Sequence, residues 1–333
     1  MFPDQFEKAF SLNLEAVQLL QNALGSSFLD AYIENVENQL DGFTVRILDG
    51  VPNAETVGKI EALYTELKEI PLAGEDLRKL SQLLLLKGSK TEKLQANHQL
   101  TPDGLGFLFI YLLEQFYSDK KQSLTIFDPA VGMGNLLLTA LLNLKIAGYE
   151  AKGVGVDIDD TLLAVAAADA EWTKGNMQLF HQDSLQDLLL DPTDAAISDL
   201  PIGYYPNDQK VQDFITGVTQ GHSYAHHLLM EQAMNYVKDA GYGLFLVPSN
   251  LLESEQATYF KKWLAEKVFL QGLIQLPDQL FRSEQSRKSI LIVQNHGENA
   301  SQKEVFLAKL ASLTDEKVIA KFFKQFEDWK LAN

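Results

Sequence analysis

The segment from Leu124 to Ile146 constrains this chain more than any other. A short β-type run, Leu124-Thr125-Ile126, leads into Phe127-Asp128-Pro129-Ala130-Val131-Gly132-Met133-Gly134-Asn135, and an apolar helical pattern follows from Leu136. A strand, a tight glycine turn and a helix N-terminus in that order build a cradle for a nucleotide-type cofactor. Glycine lets the backbone turn sharply and lets a ligand approach with no Cβ in the way. A Gly-x-Gly pair alone is weak, and the third glycine of a dinucleotide fingerprint is absent. The rest of the chain strengthens the reading by repetition. Candidate strands fall at 124–128, 153–157, 177–180, 194–199, 243–247, 270–275 and 289–294, with helical patterns between the first six. Such alternation predicts an α/β fold, a parallel sheet with helices on both faces. The last two strands lack an intervening helix, which predicts an antiparallel partner at one edge. The tail, 305–329, reads as one more strand and a helix packed outside.

Residues before about 95 have a different period. Phe6, Phe10, Leu14, Val17, Leu20 and Leu24 recur at three- and four-residue steps, the mark of one buried helix face. Further helical runs cover 57–70 and 75–86, the second stopping at Lys87-Gly88, and Phe43 to Leu48 alternates like a strand. Polar residues 88–97 then read as a linker. The chain is therefore expected to hold a smaller, mostly helical domain over 1–95 and an α/β domain over 96–333.

The chain contains no cysteine, which rules out disulfides and thiolate metal sites within it. The same absence argues against methylation at carbon 5 of cytosine, a reaction driven by a cysteine nucleophile. The net charge of −17 points away from tight, unaided binding to a phosphate backbone. The basic residues are scattered, with Arg282 and Arg287-Lys288 the nearest thing to a patch. No run approaches the ~18 consecutive apolar residues of a membrane span, and no secretion signal is visible, so a cytoplasmic location is expected.

In open α/β sheets the ligand lies beyond the carboxyl ends of the strands. Candidate site residues occupy four such ends in order. Asp128, Pro129 and Ala130 with Gly132, Gly134 and Asn135 end the first. Asp157, followed by Ile158, ends the second, where a carboxylate can accept both ribose hydroxyls. Asp183 follows the third and could take an adenine amine, with Ser184 capping a short helix near 185–190. Asp199-Leu200-Pro201-Ile202 ends the fourth, beside the place for a methyl acceptor. Each aspartate alone is also a common cap or turn former, and Asp159-Asp160 fits that plainer role as first-turn acids.

The Asp-Pro-Ala-x-Gly-x-Gly-x-x-Leu segment resembles the first motif of class I S-adenosylmethionine-dependent methyltransferases of the adenine-specific DNA type. His98-Gln99-Leu100-Thr101-Pro102 resembles the Thr-Pro segment that touches the methionine part of the cofactor in those enzymes. Its plainer reading is a helix start with Thr101 as N-cap and Pro102 first. Gln275-Leu276-Pro277-Asp278-Gln279-Leu280-Phe281 looks like the modification subunits of type I restriction systems. The resemblance spans about residues 98–295. It implies a Rossmann-like seven-stranded sheet with the last strand antiparallel, S-adenosyl-L-methionine as cofactor, and transfer to the exocyclic amine of adenine in DNA.

The resemblance also marks a departure. The family's Asn/Asp-Pro-Pro-aromatic is Asp199-Leu200-Pro201-Ile202 here, followed by Gly203-Tyr204-Tyr205-Pro206. Asp199 and the Leu200 carbonyl can still accept hydrogen bonds from an amine. Ile202 cannot stack on a flipped base, a role open to Tyr204 or Tyr205. No added region for reading base edges follows the sheet, so DNA binding is expected to be weak unaided. Target reading would fall to the N-terminal helices, a specificity subunit or a second copy. An RNA base, a protein amide, a non-catalytic cofactor-binding role and an NAD-type oxidoreductase stay open as alternatives. His222 and His226 share a helical spacing with His227 adjacent, but no third ligand lies nearby, so no metal is expected.

Overall fold

The computed structural model describes residues 4–92, 100–298 and 300–332. Helix α1 (Asp4–Leu24) buries Phe6, Ala9, Leu12, Ala16, Val17 and Leu20. The buried stripe is rotated from the expected one. Leu24 is exposed, while the small Ala9 and Ala16 are fully buried. Helix α2 (Phe28–Leu40) starts at a capping box, in which the Ser27 hydroxyl accepts from the Asp30 N–H and the Asp30 carboxylate accepts from the Ser27 N–H. That reciprocal pair satisfies two otherwise orphan donors. The expected strand at 43–48 does not form. Phe43 and Asp49 have left-handed backbones, and only an isolated bridge joins Leu48 to Val51. A strand needs a ladder partner, and none lies beside this segment among the described residues.

Helix α3 (Ala54–Lys68) is capped by Asn53, and α4 (Glu75–Thr91) runs past the expected stop at Gly88. Gly88 is a packing residue: a Cβ there would lie 2.2 Å from the Phe28 ring. The expected linker is thus partly helix, and its remainder, like the expected boundary at 95/96, falls outside the described residues. Helix α5 (Asp103–Phe116) follows with Pro102, not Thr101, at its cap position.

From there strands and helices alternate: β1 (Leu124–Asp128), α6 (Asn135–Ile146), β2 (Ala151–Asp157), α7 (Asp160–Thr173), β3 (Met177–His181), β4 (Thr193–Asp199), α8 (Ala225–Asn235), β5 (Val237–Pro248), α9 (Ala257–Glu266), β6 (Val268–Gln275), β7 (Lys288–Asn295), β8 (Phe306–Lys309) and α10 (Glu316–Ala332). They form one sheet in the order β3-β2-β1-β4-β5-β7-β6-β8. Strand β7 runs antiparallel to both neighbours, and β8 adds parallel to β6. The antiparallel seventh strand and the tail's strand and helix agree with the sequence reading. The position of β7 does not: it lies between β5 and β6, with Ser289 to Gln294 all buried. A strand covered on both faces reads as a continuous apolar run, which is the pattern of an interior strand.

Alternation along the strands divides the core. Ile126, Ala195, Leu244, Ile290 and Ile292 pack under α5, α6 and α10. Phe127, Ala196, Phe245, Leu291 and Val293 pack under α8 and α9. The N-terminal helices share a third core with Leu162, Val165, Ala168 and Trp172 of α7. Within it, the Tyr32 hydroxyl and the Ser81 hydroxyl donate to the two oxygens of Asp169 at 2.5 and 2.6 Å. Burial raises that carboxyl to about 6. Arg78, also buried, pairs with Glu75 and Asp103. The Asp169 bonds tie α7, whose N-terminal end borders the site, to α2 and α4, and the Arg78 pairs tie α4 to α5.

Candidate active site

The sheet reverses its winding between β1 and β4, the switch point at which open α/β folds bind ligands. A cleft of about 460 Å³ opens there, lined by Pro129, Ala130, Gly132, Asp157, Ile158, Asp183, Ser184, Asp199, Pro201 and Tyr205 among others. An inner recess of about 50 Å³ shares Ala130, Gly132, Leu162 and Asp199 with it and adds Thr101, Asp128 and Asn135. A second cavity, about 300 Å³ among the N-terminal helices, is lined by no carboxylate.

The glycine turn explains the cleft floor. Gly132 and Gly134 both have left-handed backbones, with φ of 52° and 76°. A Cβ on Gly132 would meet nothing within 4 Å, so a side chain there would project into open space beside the cleft. A Cβ on Gly134 would instead meet Ala166 Cβ at 3.0 Å. Gly132 therefore keeps space open, and Gly134 lets α7 approach.

The carboxylates are held by local bonds that leave acceptor capacity. Asp157 Oδ2 accepts from the Gly132 N–H at 2.7 Å, and Oδ1 accepts from the Asp159 N–H at 3.0 Å. Asp159 caps α7 by accepting from the Leu162 N–H, the plain role its position suggested. Asp128 Oδ1 accepts from the Ala130 N–H and the Ser198 hydroxyl at 3.0 and 2.7 Å. Burial, with repulsion from Asp157 and Asp199, pushes the Asp128 carboxyl up to about 7. Asp183 accepts from the Leu185 N–H at 3.0 Å and from the Tyr205 hydroxyl at 2.6 Å. Burial and that carboxylate raise the Tyr205 phenol.

Asp199 is engaged by side chains at both oxygens. Its Oδ2 accepts from the Thr101 hydroxyl at 3.0 Å, and its Oδ1 pairs with the Lys288 ammonium. Asn135 Nδ2 donates to the Thr101 carbonyl at 2.7 Å, tying this corner to the glycine turn. Thr101 is thus a partner of Asp199 rather than a helix cap. Ser184 caps nothing either, because 185–190 is turn and coil. Its hydroxyl donates to the Pro129 carbonyl at 2.5 Å, joining the turn after β3 to the glycine turn.

The loop after β4 splits its side chains. An antiparallel bridge pairs Tyr204 with Tyr224, so Tyr205 and Ala225 line the cleft while Tyr204 and Tyr224 do not. The rings of Tyr204 and Tyr224 stack at 5.0 Å, and Tyr224 stacks on His226 at 5.2 Å. Both phenols donate to Glu255 Oε1, at 3.2 and 2.9 Å. Leu200 is buried, whereas Ile202 is 41% and Tyr204 55% exposed. His226 and His227 are buried, and burial lowers them to about 4 and about 3, with the Lys288 charge contributing at His226. His222 instead pairs with Asp208 in solvent. Among the described residues no group of three side chains could hold a metal ion.

A strand-end carboxylate cluster over a glycine turn, with Asp199 at the end of β4 beside it, forms a cleft of the kind that suits a nucleotide-type cofactor. The glycine turn leaves the space a ligand needs, and acidic walls suit a cofactor with a sulfonium and net positive charge. Residues 81–328 match the N-6 DNA methylase family, and the chain belongs to that family. It is 38% identical over 330 residues to the uncharacterised protein YtxK of Bacillus subtilis, covering 99% of this chain and 98% of that one. A Listeria monocytogenes structure, provisionally assigned as a class I S-adenosylmethionine-dependent methyltransferase, superposes with a TM-score of 0.89 at 38% identity. The match covers 98% of this chain and 99% of that one. The type I restriction-modification methyltransferase subunit of Streptococcus thermophilus shares the fold, with a TM-score of 0.68 at 16% identity, over 95% and 74% of the two chains. The chain is thus a class I methyltransferase-fold protein whose cofactor is S-adenosylmethionine. Among the described residues no helix is long and apolar enough to cross a membrane.

Proposed function

We propose that this protein transfers the methyl group of S-adenosylmethionine to the exocyclic amine of adenine, with DNA as the preferred acceptor. The observation that carries the reading is that Asp199, at the end of β4, lines the same cleft as Gly132, Asp157 and Asp183. Bound there, the cofactor supplies an electrophilic methyl on sulfur. In this reading Asp157 accepts from the ribose hydroxyls through its free lone pairs. Ile158, 70% exposed, covers the adenine ring, and Asp183 accepts from the ring's amine. Thr101, Asp128 and Asn135 surround the amino-acid end in the recess.

On the acceptor side, an adenine amine is a weak nucleophile because its lone pair is delocalised into the ring. Asp199 and the Leu200 carbonyl accept from its two N–H bonds and favour the geometry that attacks. Such contacts strengthen as the nitrogen pyramidalises, so they act mainly on the transition state. The target is read by the helical region before about residue 95, a specificity subunit or a second copy, which accords with the acidic surface and the resemblance in fold to a type I modification subunit.

Two observations favour a second reading, a cofactor-binding protein without transfer. Ile202 stands where a base-stacking aromatic is expected, and Tyr204 is already stacked on Tyr224. Labelled S-adenosylmethionine incubated with DNA, RNA and protein fractions decides between the readings. Label recovered as methylated adenine supports DNA or RNA transfer. Label in protein moves the acceptor to an amide, and cofactor binding without label supports the second reading.

A further inference from the structure

The family motif does not explain Lys288. It opens β7, pairs across the ladder with Pro248 at the end of β5, and so stands at the carboxyl edge of the sheet. Its ammonium pairs with Asp199, and the two side chains are only 19% and 22% exposed. Its charge also helps keep His226 neutral. The cleft and its recess thus carry Asp128, Asp157, Asp159 and Asp183, none of which forms an ion pair among the described residues, and Asp199, whose charge is cancelled.

We propose that Lys288 is a specificity-determining residue that makes the acceptor side of the cleft electrically neutral. Asp199 then presents an oxygen acceptor without net charge, the electrostatic equivalent of an amide. The pair admits an uncharged, planar amine or amide. It disfavours a cationic acceptor such as a lysine side chain, which an unpaired carboxylate would attract and which Lys288 repels. The inference rests on the reading that Asp199 faces the acceptor. It extends that reading from the position of the site to the charge of its substrate.

The test compares affinities for S-adenosylmethionine and its demethylated product, which differ by one positive charge at sulfur. A folding defect moves both alike; a change in local charge moves their ratio. Lys288→Met should raise the preference for the charged cofactor by roughly five- to tenfold, and Asp199→Asn should lower it by a similar factor. The double variant Asp199→Asn/Lys288→Met should return near the wild-type ratio, and Lys288→Arg should stay there throughout. Circular dichroism on each variant verifies the fold, and Lys288→Gln serves where Lys288→Met does not fold. A ratio unmoved in folded Lys288 and Asp199 variants overturns the inference, as does label transferred by the wild-type protein to a lysine-rich peptide. The ratios need no acceptor, so failure to methylate DNA would count against the proposed reaction and not against this assignment.

Discussion

The hydroxyl of Tyr205 donates to Asp183 Oδ2 at 2.6 Å, joining the loop after β4 to the turn after β3. The segment that leaves β4 at Asp199, the residue proposed to face the acceptor, therefore also steadies a carboxylate proposed to face the cofactor. We predict that Tyr205→Phe weakens S-adenosylmethionine binding about tenfold. A hydrogen bond to a charged group contributes roughly 1.5–3 kcal/mol, and partial solvent access at the cleft puts this one at the lower end. Calorimetric titration measures it; equal affinities would mean that the bond only stabilises the loop.

Asp157→Ala should reduce cofactor affinity by about ten- to a hundredfold, from the loss of charge-assisted bonds to two hydroxyls. The structure adds a second consequence. The same carboxylate accepts the Gly132 and Asp159 N–H groups, so the glycine turn should loosen as well. Amide exchange at Gly132 should therefore quicken in the variant even without cofactor, and unchanged binding by a folded variant would remove Asp157 from the site.

The two glycines should fail differently. Gly132→Val sets a side chain in cleft space and should block binding, with a destabilisation of about 1–2 kcal/mol from the left-handed backbone. Gly134→Val adds a collision with Ala166 to that strain and should lower thermal stability further. Melting curves and cofactor titrations on both variants separate these effects. A stable Gly134→Val protein would contradict the packing role.

Asp128 gives a prediction in pH. Its carboxyl is raised to about 7 from an ordinary value near 3.8, so between those limits the folded state holds more protons than the unfolded. Stability from this group accordingly falls as pH rises through the window, with a slope of at most about 1.4 kcal/mol per pH unit. Both donors reach Oδ1, which an asparagine retains. Asp128→Asn should thus gain in melting temperature over wild type as pH goes from 5 to 8. A cationic cofactor favours the ionised form, so wild-type affinity for it should rise with pH through about 7 and that of Asp128→Asn should not. A constant melting difference across pH would show that the group is ionised throughout.

Much of this was readable in the residues because strand-end chemistry is local. Asp128, Asp157, Asp183 and Asp199 each follow a short apolar run, and the sheet brings such ends to one edge. What depended on distant packing was less readable. Gly88 looked like a helix stop and is a contact for the Phe28 ring. Residues 43–48 have strand alternation but no partner. Thr101 and Ser184 resembled caps, yet their hydroxyls reach Asp199 and Pro129. In the sequence Lys288 reads only as one of several scattered basic residues. An antiparallel seventh strand starts at the edge where the parallel strands of the sheet end, so the register of β7 is the signal that places Lys288 at the edge that holds Asp199.

The most direct test of the proposed reaction uses two single-stranded oligonucleotides, one with a single adenine and one with hypoxanthine in its place. Hypoxanthine lacks only the exocyclic amine. With saturating labelled S-adenosylmethionine, and with a specificity partner supplied where one is found, label should enter the adenine strand alone. Asp199→Ala should cut that transfer by about two or more orders of magnitude, the loss expected of a contact made mainly in the transition state. Equal label in both strands, or none in either while the cofactor is bound, would contradict the account.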